Sequence, residues 1–477
     1  MSHRTRPVVI DLDGTLLDSD FLVENLFAYI RHNPILLFRV IGWMLQGKTT
    51  LKRELAARAT PDVAHLPYNA AVIDLARQAV HDGRPVILAT ATHRLHAERI
   101  AAHLGLFDEV IATDDHRNLS GAAKRDALVE RFGENGFDYV ANAREDICIW
   151  QVADDAVLVN PHRGVAERVE SLTPDARVLD NRSSYAFVLL RQLRPHQWLK
   201  NTLIAVPLIA AHGPFTVGST MTLLAAFTAF CLCASSVYCL NDLLDLHADR
   251  QHPRKRYRPI ASGSLPIAHA LALAPALLVA ALTLALITTP AAFVVTLLVY
   301  YALTSAYSFW LKRVVLLDAV ALALLYSVRI LAGAAAVDVA LTGWILAFSL
   351  FIFWSLALVK RYTELVEQHS RDANSGQTPG RGYDEGDLTL IPALGAAAGF
   401  IAVLVLALYI QDSPTRALYA HPEWLWVACP VLLYWISRTW LLAHRGMMHD
   451  DPVVFAIRDP VSLGSGIVFA ILFLLAM

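Results

Sequence analysis

The stretch Asn241–Gly263, NDLLDLHADRQHPRKRYRPIASG, lies between two long apolar runs and decides how the rest of the chain is interpreted. Read as the end of a helix, Asp242, Asp245 and Asp249 recur at spacings of three and four residues, with Asn241 one turn before Asp245. One helix face therefore presents carboxylate and amide oxygens. These hard ligands suit Mg²⁺, which commonly also holds substrate phosphates, so the pattern predicts a magnesium site.

A run of cationic side chains follows the acidic residues at once. Its members are Arg250, Arg254, Lys255, Arg256 and Arg258. Guanidinium and ammonium groups bind phosphate oxygens directly, so carboxylates beside cations form the electrostatic pattern of a diphosphate site. A solvated membrane loop with juxtamembrane positive charge is the alternative, although such a loop does not require regularly spaced acids.

The two halves of the chain differ in composition. Of its 477 residues, 56% are hydrophobic, whereas soluble domains have roughly 45–50% apolar residues. Residues up to about 190 are charged and mixed, and long apolar runs dominate from about 200. The five cysteines form no CxxC pair, as expected in a reducing compartment. The N-terminus has no signal-peptide-like apolar region, so we expect a cytosolic first domain, and we expect no nucleic-acid partner.

The first domain begins with a short apolar strand, Pro7–Ile10, followed by DLDGTL at Asp11–Leu16. Asp11 can attack a phosphoryl group, while Asp13, two residues on, lies on the same side and can act as acid or base. This beginning resembles that of haloacid dehalogenase-type phosphotransferases.

The later motifs of that family follow in order. Thr90 ends the apolar run Pro85–Ala89, and the resemblance implies that it binds phosphate, while Lys124 neutralises charge. YVANARED at Tyr139–Asp146 resembles the last acidic motif, although Asn142 stands where an acid is more usual. The metal-facing residues implied for this domain are Asp11, Asp13, Asn142 and Asp146. A scaffold domain without activity is the alternative.

The order of strands and helices predicts a doubly wound α/β domain over residues 1–180. Residues from about 20 to 80 read as a helical cap over the site, and the apolar face of Pro34–Leu45 is expected to lie on the membrane. Residues 181–198 read as a linker and a basic amphipathic segment, and residues 199–477 as an all-α membrane domain.

Nine apolar stretches in the second half are each close to the roughly 20 residues that cross a bilayer. Their centres lie near residues 206, 229, 277, 301, 325, 351, 401, 433 and 468. Most Lys and Arg residues of the second half fall in the segments 241–265, 312–313, 360–387 and 438–458, whereas the opposite loops contain only Arg416. By the positive-inside rule, the charged side is cytoplasmic, which predicts a multi-pass protein of the cytoplasmic (inner) membrane with its first domain and its sites inside and its C-terminus outside.

Further polar residues lie on the predicted cytoplasmic side and are candidates for substrate binding. They are Lys200, Asn201, Arg254, Lys255, Arg258, Tyr307, Lys312, Lys360 and Arg361. For Lys312 and Lys360, anchoring at the membrane surface is the alternative. Arg329 lies in mid-span, where a charge is costly, and we expect it to serve the site as well. Asp450 and Asp451 belong to a further polar cluster.

The membrane half resembles the UbiA superfamily of intramembrane prenyltransferases, on the basis of NDLLDLHAD, RPIASG and YSFWLK. The resemblance implies Mg²⁺ and a diphosphate substrate at the acidic stretch, with Asp245 and Asp249 in catalytic roles. Aromatic prenyltransferases of the superfamily carry a second aspartate-rich motif after the sixth span. The corresponding segment here has Glu364 and no repeated DxxxD.

That departure and the segment His252–Lys255 resemble the branch that makes decaprenylphosphoryl-phosphoribose. The resemblance implies transfer of ribose 5-phosphate from phosphoribosyl diphosphate to a polyprenyl phosphate, and the fused first domain suggests removal of the 5-phosphate. Two alternatives remain: an aromatic prenyltransferase that uses a polyprenyl diphosphate, and a transporter or scaffold without catalytic activity.

Overall fold

The computed structural model describes residues 6–30, 34–59, 61–114, 117–173, 175–211, 216–371, 382–384, 386–448 and 452–477. The chain divides into two compact units. The first contains residues 1–193 together with 238–275, and the second contains 194–237 together with 276–477. The acidic stretch therefore packs with the N-terminal part of the chain, although membrane helices flank it in the sequence.

A parallel sheet of six strands, in the order β3-β2-β1-β4-β5-β6, forms the core of the first unit. The strands are β1 Val8–Ile10, β2 Val86–His93, β3 Glu109–Thr113, β4 Asp138–Ala141, β5 Ala156–Val159 and β6 Arg177–Leu179. Successive residues of β1 point to opposite faces, so that Val9 and Ile10 enter different apolar cores. A sheet buried on both faces is typical of doubly wound folds, and the predicted fold class is confirmed.

Among the described residues before 194 there are nine α-helices. They are α1 Phe21–Ile30, α2 Leu37–Leu45, α3 Lys48–Arg58, α4 Ala70–His81, α5 Arg94–Leu104, α6 Ala122–Phe132, α7 Ile147–Trp150, α8 Val165–Glu170 and α9 Tyr185–Leu193. Helices α1 to α3 follow the loop after β1, in the region predicted to be a cap. They pack on one another through Val40, Leu51 and Leu55.

The remaining helices build the second unit and the acidic stretch. They are α10 Pro195–Trp198, α11 Val206–Ala210, α12 Val217–Leu244, α13 Leu246–Gln251, α14 Ile267–Thr288, α15 Ala291–Phe309, α16 Leu317–Val337, α17 Gly343–Arg371, α18 Asp387–Gln411, α19 Ser413–Arg416, α20 Leu425–His444, α21 Pro452–Arg458 and α22 Pro460–Ala476. Within the described ranges, seven helices are long and apolar enough to cross a membrane, or eight if the pair α21 and α22, bent by 84°, forms one span. The protein is a multi-pass membrane protein.

The span predicted around residue 206 is not a continuous helix. A 3₁₀ helix, Leu199–Ala205, lies between the short helices α10 and α11. Pro195 and Pro207 stand at the starts of these helices, and a proline has no N–H to continue a preceding helix. The segment packs closely on α16, because a Cβ on Gly333 would lie 2.0 Å from the carbonyl oxygen of Ile204. The described residues therefore give seven or eight candidate spans instead of the nine expected.

Candidate active sites

The first candidate site lies at the carboxyl edge of the sheet, and we call it the sheet-edge site. Asp11 directly follows β1, Thr90 lies on β2 and Asn142 directly follows β4. Because β1 pairs with both β2 and β4 in parallel, the ends of these strands meet at one edge. All three side chains are buried.

Lys124, near the start of α6, holds this site together. Its Nζ donates to Asp11 Oδ1 at 2.8 Å, to Asp146 Oδ1 at 3.1 Å and to the Tyr139 hydroxyl at 2.8 Å. The Tyr139 hydroxyl in turn donates to Asp146 Oδ1 at 2.8 Å, and the Ala143 N–H donates to Asp146 Oδ2 at 3.2 Å. Asp146 is thus hydrogen-bonded through both oxygens and positions Lys124.

Burial and neighbouring charges shift the pKa values of the two aspartates that follow β1. Burial raises the pKa of the Asp11 carboxyl to about 7, even though the Lys124 ammonium opposes the shift. Burial, together with the carboxylate of Asp20, raises the pKa of Asp13 to about 6. Burial disfavours the Lys124 charge, but Asp11 and Asp146 outweigh it and raise the pKa of that lysine. A carboxyl with a pKa near 6 can both donate and accept a proton near neutral pH.

Hydrogen bonds orient Asp13 as well. The N–H of Phe21, the first residue of α1, donates to its Oδ1 at 2.7 Å, and the Thr92 hydroxyl donates to its Oδ2 at 3.2 Å. Thr90 accepts the Thr92 N–H at 3.0 Å. The start of the cap is therefore fixed by the same carboxylate that was predicted to act as acid or base.

The donor atoms of the sheet-edge site fit a magnesium ion. Asn142 Oδ1 is buried and has no hydrogen-bond partner among the described residues, so it is available to a ligand. Gly14 leaves room beside it, since a Cβ there would lie 2.2 Å from Asn142 Nδ2. Asp11 and Asp13 add carboxylate oxygens, and hard oxygen donors suit Mg²⁺. In the described part of the chain, no group of three or more His, Cys, Asp or Glu side chains could hold a metal ion by itself. A metal site here would therefore include the amide oxygen of Asn142.

A lysine of the cap also approaches the sheet edge, a contact that no sequence pattern indicated. Lys52 of α3 donates from Nζ to the carbonyl oxygen of Ala91 at 2.6 Å and to Asn118 Oδ1 at 2.9 Å. Burial lowers the pKa of this lysine, whereas the nearby carboxylates of Asp13 and Asp20 favour its charge. The cap thus brings a further cation to the residue after Thr90.

The second candidate site is the acidic stretch, where Asp245 separates α12 from α13. The backbone stays nearly helical, since the N–H of Asp245 donates to Asn241 O at 2.9 Å and that of Asp249 to Asp245 O at 2.8 Å. Residues 241, 245 and 249 are therefore one turn apart, as predicted. Their hard oxygen donors are of the kind that Mg²⁺ takes.

Arg258 bridges two of the predicted ligands. Its Nη1 donates to Asp242 Oδ1 at 3.1 Å and to Asp249 Oδ2 at 2.5 Å. Gln192 Nε2 donates to the other oxygen of Asp242 at 3.0 Å. Burial raises the pKa of Asp249, and Arg258 opposes that shift. Asp242 is thus held by an arginine and an amide, whereas Asp249 faces only the arginine among these contacts.

Arg250, the first of the cations, binds the cap. Its guanidinium forms two hydrogen bonds with Glu24 of α1, at 2.9 and 2.6 Å, and its Nε donates to Ala261 O at 3.0 Å. Both side chains of this ion pair are buried. Arg254 and Lys255 lie in the turn that follows, where their N–H groups donate to His252 Nδ1.

Arg329 lies inside α16 among aromatic rings of the second unit. Its Nε donates to Asn201 Oδ1 at 2.9 Å and its Nη2 to the Tyr300 hydroxyl at 3.2 Å. The guanidinium carbon lies 5.0 to 5.5 Å from the ring centres of Phe230, Tyr300 and Tyr326. Two predicted binding residues, Asn201 and Arg329, are therefore in contact with each other.

Arg361 is also buried in the second unit. Its Nε lies 2.5 Å from Asp318 Oδ2, and its Nη2 donates to the Tyr307 hydroxyl at 2.9 Å. Glu364 also pairs with this guanidinium. Lys312 and Lys360 are half-buried, and the Nζ of Lys200 lies 5.7 Å from the centre of the Tyr326 ring. Asp450 and Asp451 lie outside the described residues.

Residues 201–458 match the model of the UbiA prenyltransferase family, and residues 8–134 match the haloacid dehalogenase-like hydrolase family. The chain belongs to the UbiA prenyltransferase family. Its N-terminal domain is haloacid dehalogenase-like, so both predicted resemblances are confirmed.

Three relatives illustrate what this UbiA family member is similar to. The uncharacterized protein y4nM of Sinorhizobium fredii is 38% identical over 99% of this chain and 92% of its own. The nodulation protein NoeC of Azorhizobium caulinodans is 38% identical over 57% of this chain and 87% of its own. The decaprenyl-phosphate phosphoribosyltransferase of Mycolicibacterium smegmatis is 39% identical over 37% of this chain and 57% of its own.

Proposed function

We propose that this UbiA family protein transfers 5-phosphoribose from phosphoribosyl diphosphate to a polyprenyl phosphate, and that its N-terminal domain then removes the 5-phosphate. The observation that carries the proposal is the acidic stretch, where Asp242 and Asp249 hold Arg258 beside further cations. The name of the mycobacterial relative supports the choice of donor. The sites and the N-terminal domain are proposed to be cytoplasmic.

The transfer exchanges one C–O bond for another at the anomeric carbon of ribose. The bond to diphosphate breaks as the bond to an oxygen of the lipid phosphate forms, and diphosphate leaves. Arg254, Lys255 and Arg258 would neutralise the negative charge that develops on the departing diphosphate in the transition state. The lipid phosphate is already an anion, so it needs orientation more than a base.

The second unit is proposed to contribute substrate-binding groups. These are Lys200, Tyr307, Lys312, Lys360 and Arg361. Asn201 and Arg329, which bind each other, would fix the segment Leu199–Ala205 against α16. Mg²⁺ would be held by Asn241, Asp245 and Asp249 at the acidic stretch, and by Asp11, Asp13 and Asn142 at the sheet-edge site. At each site the ion would supply positive charge to bound phosphate oxygens.

The sheet-edge site is suited to hydrolysis of a phosphate monoester. Lys124 binds Asp11 Oδ1, so we propose that the other oxygen attacks phosphorus and forms a phosphoaspartate. Asp13 would protonate the departing ribose oxygen and then take a proton from the water that releases phosphate. Thr90 and Lys52 would orient the phosphoryl oxygens.

A pair of matched variants tests whether the two activities belong to separate sites. The assay contains phosphoribosyl diphosphate, Mg²⁺ and polyprenyl phosphate. Asp245→Asn should lower transfer at least about a hundredfold, because a carboxylate proposed to hold Mg²⁺ is lost, and should leave hydrolysis of the phosphorylated lipid unchanged. Asp11→Asn should do the reverse, because the nucleophile is lost. Mass spectrometry of the lipid products distinguishes the two outcomes.

Exposed carboxylates away from both sites serve as controls, namely Glu423→Gln and Asp74→Asn, which should leave both activities intact. If the unaltered protein forms no lipid-linked ribose but consumes a polyprenyl diphosphate with an aromatic acceptor, the proposed donor is wrong. If either variant abolishes both activities, the two sites are not independent.

A further inference from the structure

Helix α2 of the cap carries an apolar face that no other described residue covers. Its exposed residues are Leu37, Phe38, Ile41, Met44 and Leu45, with Phe38 77% and Leu45 85% exposed. Positions separated by one, four, seven and eight residues lie on one side of a helix, so these five side chains form a continuous stripe.

The opposite side of α2 packs against the other helices of the cap. Val40 is buried with Leu51 and Leu55, and Trp43 packs against the same cluster. The Trp43 ring lies 5.4 Å from the ring of Tyr29, and the Arg58 guanidinium stacks over it at 5.3 Å. A helix anchored in this way keeps the stripe on the outside, because the stripe cannot turn inward without losing these contacts.

The segment that carries the stripe has charges of one sign. Between Glu24 and Glu54 the chain contains no acidic residue. Arg39, Lys48 and Arg53 are exposed on α2 and α3. An apolar helix face bordered by cations fits a membrane surface, because the face can contact acyl chains while the cations contact anionic lipid headgroups. A binding surface for another protein does not in general require a border of cations that lacks acidic residues.

The chain itself brings α2 to such a surface. Helix α1 immediately precedes it and packs with Val23 and Phe27 on a cluster that includes Leu243 and Ile267. These two residues belong to α12 and α14, which are candidate membrane spans. The first unit thus contains both the cap and the ends of two spans.

We infer that the apolar face of α2 inserts into the cytoplasmic leaflet and that the cap receives its phosphate monoester from the bilayer. The second part rests on the proposed function, because it identifies the substrate of the sheet-edge site as a lipid-borne phosphate. Lys52, on the helix that packs against α2, contacts the residue after Thr90, which connects the inserted cap to that site.

The first test locates the helix by photo-crosslinking in the full chain. The protein carries p-benzoylphenylalanine in place of Phe38 or Ile41 and is reconstituted into vesicles of phosphatidylcholine and phosphatidylglycerol. Val80 of α4, which is also exposed, is the matched control. We expect a phospholipid mass adduct at positions 38 and 41 and none at 80. Adducts to a second copy of the chain, to another protein, or equally at all three positions would overturn the inference.

The second test separates the inserted helix from the catalytic site. In the same vesicles, Phe38→Asp/Leu45→Asp should slow hydrolysis of a lipid-borne phosphoribose at least about tenfold, since insertion is lost, and leave hydrolysis of p-nitrophenyl phosphate unchanged. Equal rates on the lipid substrate would overturn the role of α2. If the unaltered chain forms the lipid adduct but hydrolyses neither substrate, the proposed function fails and the membrane contact stands.

Discussion

At the scale of single residues, the sheet-edge site depends on one buried cation. Lys124 is 4% exposed and lies within hydrogen-bond distance of Asp11, Asp146 and the Tyr139 hydroxyl. Buried charges are tolerated only when they are paired, and each member of such a set depends on the others. We therefore expect the lysine to be needed for folding as well as for the proposed hydrolysis.

Replacement of Lys124 should reveal both roles. Lys124→Met leaves Asp11 and Asp146 buried without a cation, and we expect a loss of about 3–5 kcal/mol in the stability of the N-terminal domain together with loss of hydrolysis. Denaturant unfolding in detergent measures the change. Lys48→Met, at the exposed start of α3, is the control and should unfold like the unaltered protein. Equal stability of the two variants would contradict the paired-charge interpretation.

A buried histidine makes stability depend on pH. Burial lowers the pKa of His96 from 6.5 to about 4, and Asn25 Nδ2 donates a hydrogen bond to the Nε2 of its ring at 3.0 Å. Because the unfolded chain takes up a proton below pH 6.5 and the folded chain does not, this contribution is complete above pH 6.5 and is lost as pH falls towards 4. The full effect is roughly 3 kcal/mol at about 1.4 kcal/mol per pKa unit.

His96→Gln isolates this contribution, because glutamine can still hydrogen-bond Asn25 and does not titrate. The unfolding temperature of the unaltered protein should fall more steeply between pH 7 and pH 4.5 than that of the variant, as measured by scanning calorimetry in detergent. Parallel pH profiles would show that His96 is not the source.

Residues at strand ends could be predicted from the sequence, whereas their partners could not. The order of the motifs was enough to predict the places of Asp11, Thr90 and Lys124 in the site, since a motif defines the position of a residue relative to the sheet. Tyr139 and Lys52 reach the site from a strand interior and from the cap, and no local spacing indicates such contacts. For the same reason, the sequence suggested that Asp242 faces a metal, while in the structure Arg258 and Gln192 bind both of its oxygens.

At the scale of secondary structure elements, α1 connects the two candidate sites of the first unit. Its first N–H binds Asp13, and three residues later Glu24 binds Arg250, the neighbour of Asp249. A Cβ on Gly263 would lie 2.7 Å from the Asp18 carbonyl oxygen, so the loop before α1 also packs closely on the acidic stretch. A shift of α1 therefore affects both sites.

A double-mutant cycle measures the strength of this connection. Glu24→Gln and Arg250→Met should each destabilise the protein by about 3–5 kcal/mol, because each leaves a buried charge unpaired, and the double variant should cost much less than their sum. Unfolding by denaturant supplies the energies, and the exposed pair Asp74→Asn and Arg77→Met is the control. Additive effects would mean that the two side chains do not interact in the folded protein.

At the scale of the whole molecule, the packing of the first unit determines the path of the chain. Residues 1–193 pack with 238–275, so we expect both to lie on the side of the membrane proposed for the first domain. Helix α12 has 28 residues, about 42 Å, which is long enough to cross a bilayer. We therefore expect the chain between Leu193 and Val217 to cross the bilayer as well, although its described residues, 194–211 and 216, contain no long helix. Backbone of this kind is tolerated in a membrane where it is buried in protein, as Asn201, Ile204 and Leu208 are.

Cysteine labelling tests this path. In a background with Cys148→Ser, Thr216→Cys should react with a membrane-impermeant maleimide only from outside, and Ser264→Cys only from the cytoplasmic side, because α12 and the loop charges separate them. Right-side-out and inverted vesicles provide the two conditions. Labelling of both positions from one side would contradict the crossing at residues 194–216.

Hydropathy thus predicted most of the candidate spans, but it could not show that prolines divide one of these segments into short helices. The segment around residue 206 is apolar enough to suggest a span, yet Pro195 and Pro207 break it into short pieces. The attachment of the acidic stretch to the N-terminal unit depends on contacts such as Glu24 with Arg250, 226 residues apart in the chain, which no periodicity could reveal.

That separation also sets an order of assembly. A ribosome adds about 5–20 residues per second, so Arg250 emerges roughly 10–45 s after Glu24. During that interval α1 has no partner for its carboxylate, and most of the cluster that covers Val23 and Phe27, from Cys239 to Ala274, is not yet made. The N-terminal domain is translated first, but its cap can be completed only after α12 and α14 have been synthesised. Premature termination before residue 250 would therefore yield an incomplete cap instead of a finished soluble enzyme.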